Sequence, residues 1–189
     1  MRTFVIAGVL LCMGLGMAAK QEKLGYPAPE INAAEWINSS GPISLAQLRG
    51  QVVVVCLFST TEERSLRAIF EMKRVQEHFA KKGVVFVALT DQDRVKGEVD
   101  RFVKRHKITF PVGTGSPTRD QHFVGYNSYA FVVDAAGNIV WKGDPARGLQ
   151  AAIELGLNRS KAEKSDAKQP PPPRERRAAP ADQPPPPTD

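Results

Sequence analysis

The chain has 189 residues, 42% of them hydrophobic, which suits one domain with a real core and appendages at its ends. Its formal charge of +6 is spread thinly, with Arg2 alone in the first nineteen residues and seven basic against five acidic residues from Arg159 onward. The weak excess left for residues 20–158 lacks the concentrated basic face of a nucleic-acid binder, so the expected partner is not nucleic acid.

Arg2, the uncharged and mostly apolar run Phe4–Met17, and the small residues Ala18 and Ala19 predict an export signal over residues 1–19. Gly16-Met17-Ala18 fits a small-x-small cleavage site. The run is shorter than the roughly 20 residues that span a bilayer comfortably. An uncleaved signal anchor is the alternative reading, and lipidation at Cys12 is disfavoured by Leu11 before it. The expected location is therefore extracytoplasmic, such as the periplasm, with membrane contact only through an uncleaved or lipidated N-terminus. Cleavage after Ala18 removes Cys12 and leaves Cys56 as a lone thiol. A two-cysteine exchange cycle needs an attacking and a resolving thiol, and such a chain supplies one.

Residues 20–40 form a lead-in, and Gly41-Pro42 marks a turn. Val52–Phe58 is a continuous, largely β-branched apolar run, which predicts a strand buried on both faces. Ser59-Thr60-Thr61 can cap a following helix whose first turn holds Glu62 and Glu63. Apolar residues then recur at Leu66, Ile69, Phe70, Met72, Val75 and Phe79, and Gly83 ends the helix. Val84–Leu89 predicts a second buried strand, parallel to the first by the handedness of short crossovers. Asp91-Gln92-Asp93 leads into a helix with Val95, Val99, Phe102 and Val103 inward, followed by a short strand or extended piece over Ile108–Val112. A loop runs from Gly113 to Gly125. Tyr129–Asp134 and Asn138–Gly143, joined by Ala135-Ala136-Gly137, predict a hairpin, and Ala151–Leu157 a closing helix. After Asn158 the composition shifts: nine of the fifteen prolines fall in residues 170–187, which predicts a disordered Pro-rich tail over 159–189.

Two stretches carry a resemblance. Gly50–Thr60 (GQVVVVCLFST) and Phe131–Val140 (FVVDAAGNIV), with the lead-in Ala28-Pro29-Glu30-Ile31, resemble the thioredoxin-like redoxin superfamily, its TlpA/AhpC-TSA-like branch, over residues 27–157. The resemblance implies an α/β, thioredoxin-like single domain over residues 20–158, with a central mixed sheet and helices on both faces. It also implies a thiol-disulfide site at the strand-to-helix junction. That site is degenerate here. The nucleophilic cysteine of the family falls on Glu62 and the resolving cysteine on Ser65, with Glu63 and Arg64 between them and Thr61 in place of the preceding aromatic residue. The cis-proline position falls on Ser128, where a cis bond would cost about 2.5–4 kcal/mol.

No replacement chemistry is apparent. Cys56 sits mid-strand, where burial raises a thiol pKa and blocks access. Thr60-x-x-Glu63 keeps the threonine of a peroxiredoxin-like T-x-x-C without its cysteine. His78, His106 and His122 share no metal-ligand spacing, so neither a metal nor another cofactor is expected. The leading expectation is an exported, redox-inactive redoxin that binds a protein partner through the former active-site groove, using Thr60, Thr61, Glu62, Glu63, Arg64, Tyr126 and Tyr129. The alternatives are a thiol-disulfide oxidoreductase or peroxiredoxin-like enzyme relying on Cys56, and an envelope adaptor that works through its Pro-rich tail.

Overall fold

The computed structural model describes residues 25–94, 97–117 and 130–168. They form a single α/β domain around one mixed seven-stranded sheet. The strands are β1 (Tyr26–Pro27), β2 (Glu35–Ile37), β3 (Val53–Leu57), β4 (Val85–Leu89), β5 (Val112–Thr114), β6 (Ala130–Val133) and β7 (Asn138–Gly143), and the described helices are α1 (Glu63–Phe79), α2 (Glu98–Arg105) and α3 (Leu149–Lys168). Sheet order is β1-β7-β6-β3-β4-β5-β2. The β3/β4 and β4/β5 pairs are parallel and the others antiparallel.

β3 is central, flanked by β4 and β6, and every residue from Val52 to Phe58 is buried. Covering layers on both faces explain why its sequence does not alternate. Val52, Val54, Cys56 and Phe58 face a core shared with Ile69, Met72 and Phe79 of α1, Phe102 of α2 and Ile153 of α3. The crossovers β3–α1–β4 and β4–α2–β5 step the same way across the sheet, so a single handedness puts both helices on one face. α3 joins them there. Gly156 lets it approach closely, since a Cβ at that position would stand 3.2 Å from Val52 Cγ1.

All described helices therefore lie on one face. Val53, Val55, Leu57 and Phe131 on the other face are covered by Ile31 and Trp36 of the lead-in and by Ile43 and Leu45 just after it. The Glu30 carboxylate pins that layer by accepting from the N–H groups of Ile31, Leu45 and Ala46. The lead-in also contributes two unpredicted strands, because β1 pairs Tyr26 with Ile139 and β2 pairs Trp36 with Gly113.

Three boundaries differ from expectation. The strand expected over Ile108–Val112 is β5, Val112–Thr114, while Ile108 and Phe110 are buried as non-strand core residues. The helix expected after Asp93 begins at Glu98, behind Gly97 in a left-handed conformation, and Val95 lies outside the described residues. The closing helix runs to Lys168, past the composition change at Asn158, because Lys, Ala and Glu favour helix as much as solvation. The tail expected from 159 is helical over its first ten residues, and residues 169–189 lie outside those described.

Candidate functional site

β3 and β4 run parallel and end together, Leu57 opposite Leu89. Chain crossings at the carboxyl ends of parallel strands commonly make a crevice. Here the β3–α1 junction, Ser59–Ser65, lies beside the segment after β4, Thr90–Arg94, tied to it through Thr60 and Gln92.

The junction is fixed by a hydroxyl. Ser65 is fully buried, and its Oγ accepts from the Ser59 N–H at 2.9 Å. The same oxygen lies 3.0 Å from the carbonyl oxygens of both Ser59 and Glu62, either of which takes its one proton. The Ser65 side chain thus closes a local ring of backbone bonds. A second tie crosses to β4. The Gln92 amide accepts from the Thr60 N–H at 2.7 Å and donates to Thr60 Oγ1 at 2.8 Å. Gln92 is itself held by Thr90 Oγ1 and, through its carbonyl, by the Gly115 N–H.

The expected cap is corrected by this geometry. α1 has Glu62 as its N-cap residue, in extended conformation, with no side-chain cap hydrogen bond. The Ser59 and Thr61 hydroxyls pair with each other at 3.0 Å instead of capping the helix, and the Ser65 bonds hold the loop. Thr61, Glu63 and Arg64 are exposed, Thr60 and Glu62 half-buried. Glu63 forms an exposed ion pair with Arg67 at 3.5 Å.

Beside the junction, Asp91, Gln92, Asp93 and Glu98 line an open cleft of about 350 Å³. Its edge is fixed by Arg94, which bonds Asp100 and Glu35. The hydrogen bonds from Arg94 hold the Asp100 carboxyl below the usual carboxylate range. The sequence signalled neither Gln92 nor this acidic cleft, since both depend on β4 lying next to β3.

Cys56 stands apart from all of this. It is completely buried in the interior of β3, paired with Ala88 and Ala130, and burial pushes its thiol far above the usual range. Its sulfur is 3.9 Å from the Leu57 carbonyl. Among the described residues it is the only free cysteine, and no group of three or more His, Cys, Asp or Glu is placed to hold a metal ion. Ser128, Tyr126, Tyr129 and His122 lie outside the described residues.

Comparison with known proteins decides the lineage. A profile of the AhpC/TSA family matches residues 24–142. The chain belongs to that family. No curated protein sequence matches it. Among solved structures it is similar to a thioredoxin-like superfamily protein (25% identity, TM-score 0.60, 70% of this chain and 96% of the other). It is likewise similar to a thioredoxin-family thiol:disulfide interchange protein of Chlorobium tepidum (25%, 0.55, 70% and 97%). The thioredoxin domain of a thiol-disulfide oxidoreductase of Bacteroides vulgatus (19%, 0.58, 71% and 98%) shares the fold. The chain is thus a thioredoxin-like redoxin in which Glu62 and Ser65 occupy the junction.

Proposed function

We propose that this protein is an exported redoxin that performs no thiol chemistry of its own and acts by binding a protein partner at the carboxyl ends of β3 and β4. The observation that supports this reading most is Ser65. Its hydroxyl is buried and spent on backbone groups of Ser59 and Glu62, so it is neither a nucleophile with a base nor a replaceable thiol. Thiol exchange at this place needs two sulfurs, and neither Glu62 nor Ser65 supplies one. Cys56 is sealed by packing and its thiol is held protonated.

What the junction offers instead is an ordered polar rim: Thr61, Glu63 and Arg64 exposed on one side, Asp91 and Asp93 on the other. Rigid, pre-formed surfaces lose little conformational entropy on association, which favours a binding role. Thiol:disulfide exchange is the competing reading, favoured by the similarity to an interchange protein and to an oxidoreductase domain. Export rests on residues 1–19, and the extracytoplasmic setting would suit thiol:disulfide interchange relatives.

Insulin reduction and peroxide consumption by the purified protein decide between the two. The binding reading predicts neither activity above background, together with specific capture of a partner that Glu63→Arg or Arg64→Glu weakens. Catalysis that Cys56→Ala abolishes would overturn it.

A further inference from the structure

Among the described residues Phe70 is an exposed large hydrophobic side chain, open to solvent at 39%. Its surroundings follow from helix periodicity. Leu66, Phe70 and Lys73 succeed one another on the flank of α1 that faces α2. Phe102 and His106, four residues apart, form the answering flank of α2. The Phe70 ring stacks on Phe102 at 6.1 Å and tilts against His106 at 4.9 Å. Lys73 closes this seam between the helices by donating to the His106 carbonyl at 2.7 Å. Phe70 is thus held in one place with one side open.

Charge is graded along the seam. The acids of the cleft, Asp91, Asp93 and Glu98, lie at or before the start of α2. At its other end Lys104, Arg105 and Lys107 are exposed around His106. Asp100 sits on the edge of α2 away from α1, bonded to the Arg94 that also bonds Glu35. Helix periodicity then puts Arg101 and Arg105 on the edge that borders Phe102 and α1.

Three acids of the two helices are already engaged: Glu63 with Arg67, Glu71 with Arg74 and Asp100 with Arg94. The remaining acid of α1, Glu77, stands against Lys73, Lys104, Arg105 and Lys107. None of those four cations is in an ion pair among the described residues.

We infer that the Phe70 seam is a docking surface for an acidic segment of a protein partner that carries an aromatic or aliphatic side chain among its carboxylates. Arg and aromatic residues are the side chains enriched at protein interfaces. Carboxylates on the partner answer the cations at the end of α2, and an apolar side chain answers Phe70 and the half-buried Leu66. Neighbours cover more than half of Phe70, so it offers a side chain a place to pack and is not a wedge for a bilayer or a base stack. The inference does not rest on the function proposed for the junction.

The probe is a short helical peptide with Glu on one face and Trp and Leu on the other, titrated into the isotope-labelled full chain and followed by amide chemical shifts. We expect saturable binding, with shifts confined to the α1 flank and the end of α2. Affinity should be at least about tenfold higher than for the same peptide with Ala in place of Trp and Leu. That comparison uses the wild-type chain alone, so it stands even where a variant unfolds. Phe70→Ala should remove the advantage. Lys104→Glu/Arg105→Glu should abolish binding, whereas the same change in charge on α3, Arg159→Glu/Lys161→Glu, should leave it unchanged, with circular-dichroism melts confirming that each variant folds. Equal affinity for the two peptides would overturn the inference, as would equal loss in the two charge variants. So would tighter binding of duplex DNA or anionic vesicles than of the peptide. Absence of binding would also overturn it, and would leave Lys104 and Arg105 as complements of the helix dipole.

Discussion

The interior of β3 and the junction that follows it adjoin in the chain and are held by different forces. From Val52 to Phe58 the chain is fixed by packing, with Cys56 one apolar filler among others. From Ser59 to Ser65 it is fixed by hydrogen bonds, with the Ser65 hydroxyl and the Gln92 amide holding the loop. The thiol of the described structure therefore lies where nothing can reach it, while the junction beyond it is ordered without one. Order at an active-site-like junction does not by itself argue for chemistry.

The largest effect is expected at the boundary between the two regions. Phe58 is 1% exposed and stacks on Phe102 at 5.6 Å, so Phe58→Ala should cost about 3–5 kcal/mol in urea unfolding. A cost under 1 kcal/mol would mean that packing does not extend to the end of β3. Ser65→Ala should cost about 1–3 kcal/mol, since the Ser59 N–H and two carbonyls lose their shared partner in a buried place. Stability unchanged by that substitution would show the junction to be held by something else.

The buried thiol gives the next effect, and it has a sign. The folded chain keeps the Cys56 proton at pH values where the unfolded thiol has released it. Its contribution is full below the unfolded pKa of about 8.5 and declines above it, by about 1.4 kcal/mol per pH unit. The stability of the wild-type chain relative to Cys56→Ala should fall with this slope across that range, and parallel curves would place the thiol in contact with water. Smallest is Glu63→Ala, which removes an exposed 3.5 Å ion pair and should shift stability by no more than about 0.5 kcal/mol.

What the sequence made legible was local. β3, α1, β4 and the β6–β7 hairpin announce themselves by runs, periodicity and a turn at Gly137, whose φ is 85°. β1 and β2 do not, because two- and three-residue strands carry almost no pattern and find partners far along the chain. At the site, resemblance to the family pattern drew attention to Glu62 and Ser65. The use made of Ser65 was not, since its bonds depend on the backbone path of the loop. Gln92 escaped notice because it meets Thr60 only where two parallel strands end side by side.

The central claim is that this redoxin has no accessible thiol at work in its folded domain. Labelling the native protein with a small alkylating reagent at pH 8, followed by peptide mapping of Cys56, tests it most directly. The account predicts no Cys56 adduct until denaturant is added, and complete modification afterwards. Rapid labelling of Cys56 in the native chain, at a rate near that of a free thiol, would contradict it.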